Sequence, residues 1–257
     1  MSDSSTAGRD RAKVRVGVLY PSYGAEDDFA RLARLVTPPT ETVVVHTGGT
    51  DRHEPHIGRE IGGSKYLLPG ARKLALHDVD VCTWACTSGS FTFGLEGARG
   101  QVAEIAEYLD VPASSTSLAF ANATLALGGR KVSVAATYPQ EHAASFCAFL
   151  EEAGIQVVHL GAMGVWTGIE VGEVERPAVL EFVAANDHAD ADALLVPDTA
   201  LHTVAFLDEL EQTVGKPVLT ANQVTCWDCL RLAGRLEKQE GLGTLFAHLP
   251  VADSITY

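Results

Sequence analysis

The feature that most constrains this chain is that it is written twice. RVGVLYPSYG (Arg15–Gly24) and KVSVAATYPQ (Lys131–Gln140) each open on a charge, run apolar, and turn at Tyr20-Pro21 and Tyr138-Pro139. DVDVCTWACT (Asp78–Thr87) is answered by DADALLVPDT (Asp190–Thr199), and VPASSTS (Val111–Ser117) by KPVLTAN (Lys216–Asn222). The patterns after the last pair both end in glycine, at Gly128 and Gly234. Four landmarks in one order imply a duplicated unit. The offset of 198 − 86 = 112 sets Cys86 on Asp198.

Each copy reads as strand, helix, strand, helix, strand, helix. Strands are expected at 15–20, 41–46, 79–85, 131–136, 156–160 and 192–196, with shorter ones near 112–114 and 217–219. They are Val/Leu/Ala-rich without alternation, the pattern of parallel strands covered on both faces. Apolar residues at three- and four-residue spacing predict helices such as 91–108 and 140–153. The expected fold class is α/β, two similar flavodoxin-like lobes with parallel sheets related by a pseudo-two-fold axis. The expected division is a disordered leader over 1–13, a first lobe of 14–128 plus 220–257, and a second lobe of 129–219, with the site in the cleft between them.

Ligands of open parallel sheets lie beyond the carboxyl ends of the strands. Cys86 and Asp198 fall at two such ends, in equivalent places, so the lobes would bring them to one ligand from opposite sides. Thr87, Ser88, Gly89 and Ser90 follow Cys86. Small residues at a helix start let backbone N–H groups approach a carboxylate or enolate, and the same field would favour a Cys86 thiolate. Asp198, Thr199 and Ala200, before a helix expected from about Thr203, repeat the arrangement. Asp198 would return a proton if burial raised its pKa, although Asp198 or Thr199 could equally be a plain N-cap. Tyr138 is a candidate donor to a substrate carboxylate or else an aromatic packed over the lobe interface, and Tyr20 is its repeat partner. Pro21 and Ser22, in the turn after the first strand, join Thr87, Ser88, Tyr138, Thr199 and Ala200 as expected substrate-binding residues.

Other features read more blandly. Cys226-Trp227-Asp228-Cys229 lies in a helical pattern and reads as core packing rather than a redox motif. HTGGTDRHEPHIGRE (His46–Glu60) reads as a solvated loop that could cover the site, with His53 and His56 in it, and His202 is a secondary proton-donor candidate. No metal site is expected. A formal charge of −14 argues against nucleic acid as a partner. Five cysteines without a disulfide pattern, and no apolar run of membrane length, point to the cytoplasm and away from a membrane.

Read together, GVLYPSYG, ACTSGSF, ATYPQEH, LGAMGVWTGIEVGE, ALLVPDTALHT and CWDCLRLAG resemble the aspartate/glutamate racemase superfamily, within it the maleate isomerase and arylmalonate decarboxylase branch. The resemblance runs over roughly residues 14–235. It implies two lobes closing on a small carboxylic acid, with no metal or organic cofactor. It also implies catalytic roles for Cys86 and for whatever stands at 198, with Thr87, Ser88 and Tyr138 holding a carboxylate. Two departures stand out. Asp198 replaces the second cysteine of the racemases, and Gly24 and Gly168 stand where maleate isomerases carry asparagine. The expectation is a cofactor-independent isomerase using Cys86 thiolate through an enolate-like intermediate. A malonate-type decarboxylase, with its leaving carboxylate against Phe91, Phe93 and Trp166, is one alternative. An amino-acid or hydroxy-acid racemase and a non-catalytic carboxylate-binding protein are the others. A homo-oligomer, dimer or tetramer, is expected from the size of the chain.

Overall fold

The computed structural model describes residues 13–50 and 52–248; the expected leader lies almost wholly outside them. Eight strands form two four-stranded sheets. β1 (Arg15–Tyr20), β2 (Glu41–His46), β3 (Val81–Trp84) and β4 (Ala113–Ser115) build the first, in the order β2-β1-β3-β4. β5 (Lys131–Ala136), β6 (Gln156–Ala162), β7 (Ala193–Val196) and β8 (Val218–Thr220) build the second, in the order β6-β5-β7-β8. Every pairing is parallel. The two orders are the same order, so the duplication read from the sequence is a duplication of topology.

The unalternating apolar runs have their cause in the packing. On β1, Val16, Val18 and Tyr20 face one buried cluster with Phe29, Val81 and Ala85, while Leu19 faces another with Leu67, Cys82, Trp84 and Ile105. Both faces of the strand need apolar side chains, and a polar residue on either would lose its water. The largest cluster lies around the second sheet and extends to Leu32, Phe91 and Leu118 of the first half.

Helix Ala221–Leu232 follows β8 and is buried from Ala221 to Leu230. It packs mainly against helix Thr116–Ala126, and also against β3 and β4. Its Cys226, Trp227 and Cys229 are core residues, as their helical spacing predicts. Asp228, fully buried, accepts from Ser114 Oγ at 2.5 Å, from Asn122 Nδ2 at 3.1 Å and from Arg231 Nε at 2.8 Å. A buried carboxylate needs that many partners, and removing the charged one, Arg231, costs about 3–5 kcal/mol. Among the described residues no helix is long and apolar enough to cross a membrane.

Candidate active site

Cys86 lies two residues beyond β3 and Asp198 two residues beyond β7, and both open into one narrow cavity of about 40 Å³. Pro21, Ser22, Ser88, Thr199 and Ala200 line it, as expected, together with Tyr20, Thr50, Arg52, His53, Ile61 and Gly168. Of the residues expected at the site, Thr87 and Tyr138 do not reach the cavity wall. They are 1% exposed and sit directly behind it, where the Thr87 side chain neighbours the Tyr138 hydroxyl.

The turn after β3 is built around the sulfur. The Gly89 N–H donates to Cys86 Sγ at 3.2 Å, and the Ser88 hydroxyl lies 3.6 Å from it. These contacts favour the thiolate, but burial outweighs them and, with the Asp198 carboxylate adding to it, pushes the thiol up to about 11. The expected field-stabilised thiolate is therefore corrected. The resting sulfur is a thiol, because Cys86 is only 5% exposed and the helix that begins there is only Ser88–Phe91. Gly94, at φ +69°, breaks the predicted 91–108 helix before the longer Gly94–Leu109 begins.

The turn after β7 is held more tightly. Asp198 adopts φ +111°, outside the regions an L-residue ordinarily visits, at a cost of about 1–3 kcal/mol. Its Oδ2 accepts from Thr137 Oγ1 at 2.6 Å and its Oδ1 from the Ala200 N–H at 3.0 Å. That amide, expected to face an enolate, is thus occupied by Asp198 itself. The helix expected from about Thr203 is a single 3-10 turn, Val204–Phe206, before Leu207–Val214. The Thr203 and Val204 N–H groups instead donate to buried Asp28, at 3.0 and 3.3 Å.

Contacts between the halves fix both turns. Tyr20 donates to the Thr199 carbonyl at 2.9 Å, Thr199 Oγ1 to the Ala85 carbonyl at 3.2 Å, and Asn222 Nδ2 to the Thr199 carbonyl at 3.2 Å. Burial first, then the Asp198 carboxylate, holds the Tyr20 and Tyr138 hydroxyls well above their ordinary range, so both are neutral donors.

Of the polar stretch 46–60, Thr50, Arg52 and His53 line the cavity, as a covering loop would, while its end is helical rather than loop. Pro55–Ile61 is a helix, and Gln101 Nε2 donates to both the Gly62 and Gly89 carbonyls at 2.7 Å, tying the helix end to the Cys86 turn. A Cβ on Gly62 would stand 2.0 Å from the Gly89 oxygen, so only glycine permits this approach. His53 is 7% exposed and lies at the cavity, its Nε2 3.5 Å from Asp198 Oδ2. Sequence reasoning gave His53 no role, because its partners, Val165, Trp166 and Asp198, all belong to the other half. His56 is by contrast exposed and faces Glu54. His202 pairs with Asp27 at 2.8 Å near the surface and takes no part in the cavity. Arg52, also unforeseen, is the one lysine or arginine among the described cavity-lining residues, and its Nε pairs with Glu54 at 2.6 Å.

The apolar pocket expected from Phe91, Phe93 and Trp166 does not form. Phe91 is buried against Tyr138 and Phe146, Trp166 is half-exposed, and none of the three lines the cavity. At position 24 a Cβ would meet Ala200 Cβ at 2.7 Å, so an asparagine there has no room in this chain.

Residues 66–246 match the model of the arylmalonate decarboxylase family. The arylmalonate decarboxylase of Bordetella bronchiseptica is 30% identical over 184 residues, covering 70% of this chain and 76% of that protein. A double mutant of arylmalonate decarboxylase in the liganded form, with one glycine changed to cysteine and one cysteine to serine, matches with a TM-score of 0.80 at 25% identity. That match covers 91% of this chain and 99% of that one. A cysteine-to-serine mutant of the Nocardia farcinica maleate cis-trans isomerase, carrying a covalently bound succinylcysteine intermediate, matches with a TM-score of 0.82 at 21% identity. It covers 91% of this chain and 98% of its own.

Proposed function

The chain belongs to the arylmalonate decarboxylase family, and from that premise we propose that it is a cofactor-independent isomerase acting on a small unsaturated carboxylic acid. The observation that carries this reading is the opening of Cys86 and Asp198, from equivalent strand ends of the two halves, into one cavity. The substrate lies between them. Cys86 sulfur bonds to one alkene carbon while its proton passes across the cavity to Asp198. Negative charge develops on the neighbouring carbon and its carboxylate as an enolate. The remaining single bond rotates, the sulfur leaves as the double bond re-forms, and Asp198 returns the proton to the sulfur. The thiol character of Cys86 makes a base on the far side necessary, and Asp198 supplies one. Arg52, at the cavity wall, pairs with the substrate carboxylate in place of Glu54. The covalent succinylcysteine seen in the Nocardia farcinica enzyme is a chemical precedent for such an adduct.

One observation favours a second reading. A sulfur held as a thiol is a proton donor, which suits decarboxylation of a malonate-type acid, Cys86 protonating the enolate left after carbon dioxide departs. Proton NMR in D2O on a panel of maleate, fumarate and substituted malonates separates the two. Cis–trans interconversion without loss of mass supports isomerisation. Carbon dioxide release with one deuterium incorporated supports decarboxylation. Asp198→Asn is expected to lower isomerisation about 10²- to 10⁴-fold, because it removes the base opposite Cys86. Binding of these acids with no turnover of any would overturn both readings.

A further inference from the structure

His53 reaches the cavity from the extended stretch after β2 and is anchored on the other half at two points. Its backbone N–H donates to the Trp166 carbonyl at 2.8 Å, and its ring Nδ1 lies 3.0 Å from the Val165 carbonyl. A carbonyl oxygen only accepts, so Nδ1 carries a hydrogen. The ring's other nitrogen is then the one facing Asp198 Oδ2, 3.5 Å away. If Asp198 is ionised and His53 neutral, two lone pairs confront each other between residues only 5% and 7% exposed. Placing one proton there, on either atom, turns the repulsion into a hydrogen bond.

We infer that His53 and Asp198 share one proton and work as a unit, with His53 a positioning residue that sets whether the Asp198 carboxyl takes up or gives up a proton. The inference rests on the proposed role of Asp198 as the acid and base of the site. The groups facing the pair are few. The edge-to-face ring of Tyr138 stands 4.8 Å from the His53 ring, and the near-parallel ring of His142 stands 6.0 Å from it. Tyr20, Cys86 and Arg52 share the cavity, and Thr137 donates to the carboxylate. None of them competes for the proton. His142, 1% exposed, is pushed down to about 3 by burial and by His53, and stays neutral. The two tyrosines keep their own protons, and Arg52 pairs with Glu54. The histidine also explains how a carboxylate is tolerated here beside an acidic substrate: the pair together carries one negative charge less than Asp198 alone.

Nitrogen NMR on histidine-labelled protein reads the two ring nitrogens of His53 separately and needs no substrate. In the unaltered protein Nδ1 is expected to be hydrogen-bearing, with Nε2 showing protonated or proton-sharing character. In Asp198→Asn, Nε2 is expected to move to the position of a bare nitrogen. A bare Nδ1 in the unaltered protein, which that spectrum alone shows, overturns the inference. So does an Nε2 unchanged by Asp198→Asn. His53→Gln is expected to lower kcat about 100-fold with KM little changed, because the lost effect lies in proton transfer rather than binding. A rise in KM with kcat intact would mark His53 as a packing residue and overturn its positioning role. If the nitrogen signals respond as expected while Asp198→Asn turns over normally, the shared proton stands and the catalytic reading of Asp198 falls.

Discussion

The protonation of Cys86 can be read without knowing the substrate, by alkylation as a function of pH. Burial and the Asp198 carboxylate push the sulfur up to about 11, from the 9.0 of an ordinary thiol, while the Gly89 N–H and Ser88 pull the other way. Only the thiolate reacts with iodoacetamide. At pH 8 its fraction is then about 10^(8−11), or roughly one in a thousand, against roughly one in ten for an ordinary cysteine. The rate constant for labelling Cys86, followed by peptide mass spectrometry, should be about a hundredfold below that of a free thiol at pH 8 from ionisation alone. It should climb about tenfold for each pH unit from 6.5 to 9, with no plateau. Cys147, pushed up to about 12, should trail it by about another tenfold, and Cys86→Ala identifies the signal. A rate that levels off near pH 7 would refute the reasoning. It would mean that the short helix start and its amides outweigh desolvation after all.

Two further outcomes follow from the same packing. Gly24→Asn should destabilise the fold by about 1–3 kcal/mol in thermal unfolding, because its Cβ meets Ala200 at 2.7 Å, and adding Ala200→Gly should recover part of that loss. Cys82, Cys86 and Cys226 have folded pKa values raised to about 12, 11 and 12, so above pH 9 the unfolded chain releases protons that the folded chain keeps. Stability should therefore fall as pH rises, by about 1 kcal/mol per cysteine between pH 9 and 10, measurable as a drop in urea midpoint.

The architecture was legible because parallel strands buried on both faces leave continuous apolar runs. β1, β2 and β5 fall on the expected residues. The ends of helices were less so. The Val204 turn is set by Asp28, far away in sequence, and nothing local in LHTVAF announces it. The 46–60 stretch misled because glycine and charge dominate it, although Ile57 and Ile61, four apart and both buried, were a helical signal in plain view. At the site, Cys86 and Asp198 could be found from the repeat. His53 could not, since what makes it matter is two carbonyls and a carboxylate contributed by the opposite half.

The crossed contacts at the two turns carry a consequence for how such a chain came to be. Tyr20 of the first half fastens Thr199 of the second, and Tyr138 of the second stands against Thr87 of the first. Each half thus holds a clasp for its sibling's reactive loop, beside those it holds for its own, such as Thr137 on Asp198 and Gln101 on Gly89. Neither turn would be complete with one half alone. Because both copies are parts of one chain, equivalent positions can differ, which is what lets sulfur stand on one bank of the cavity and a carboxyl group on the other.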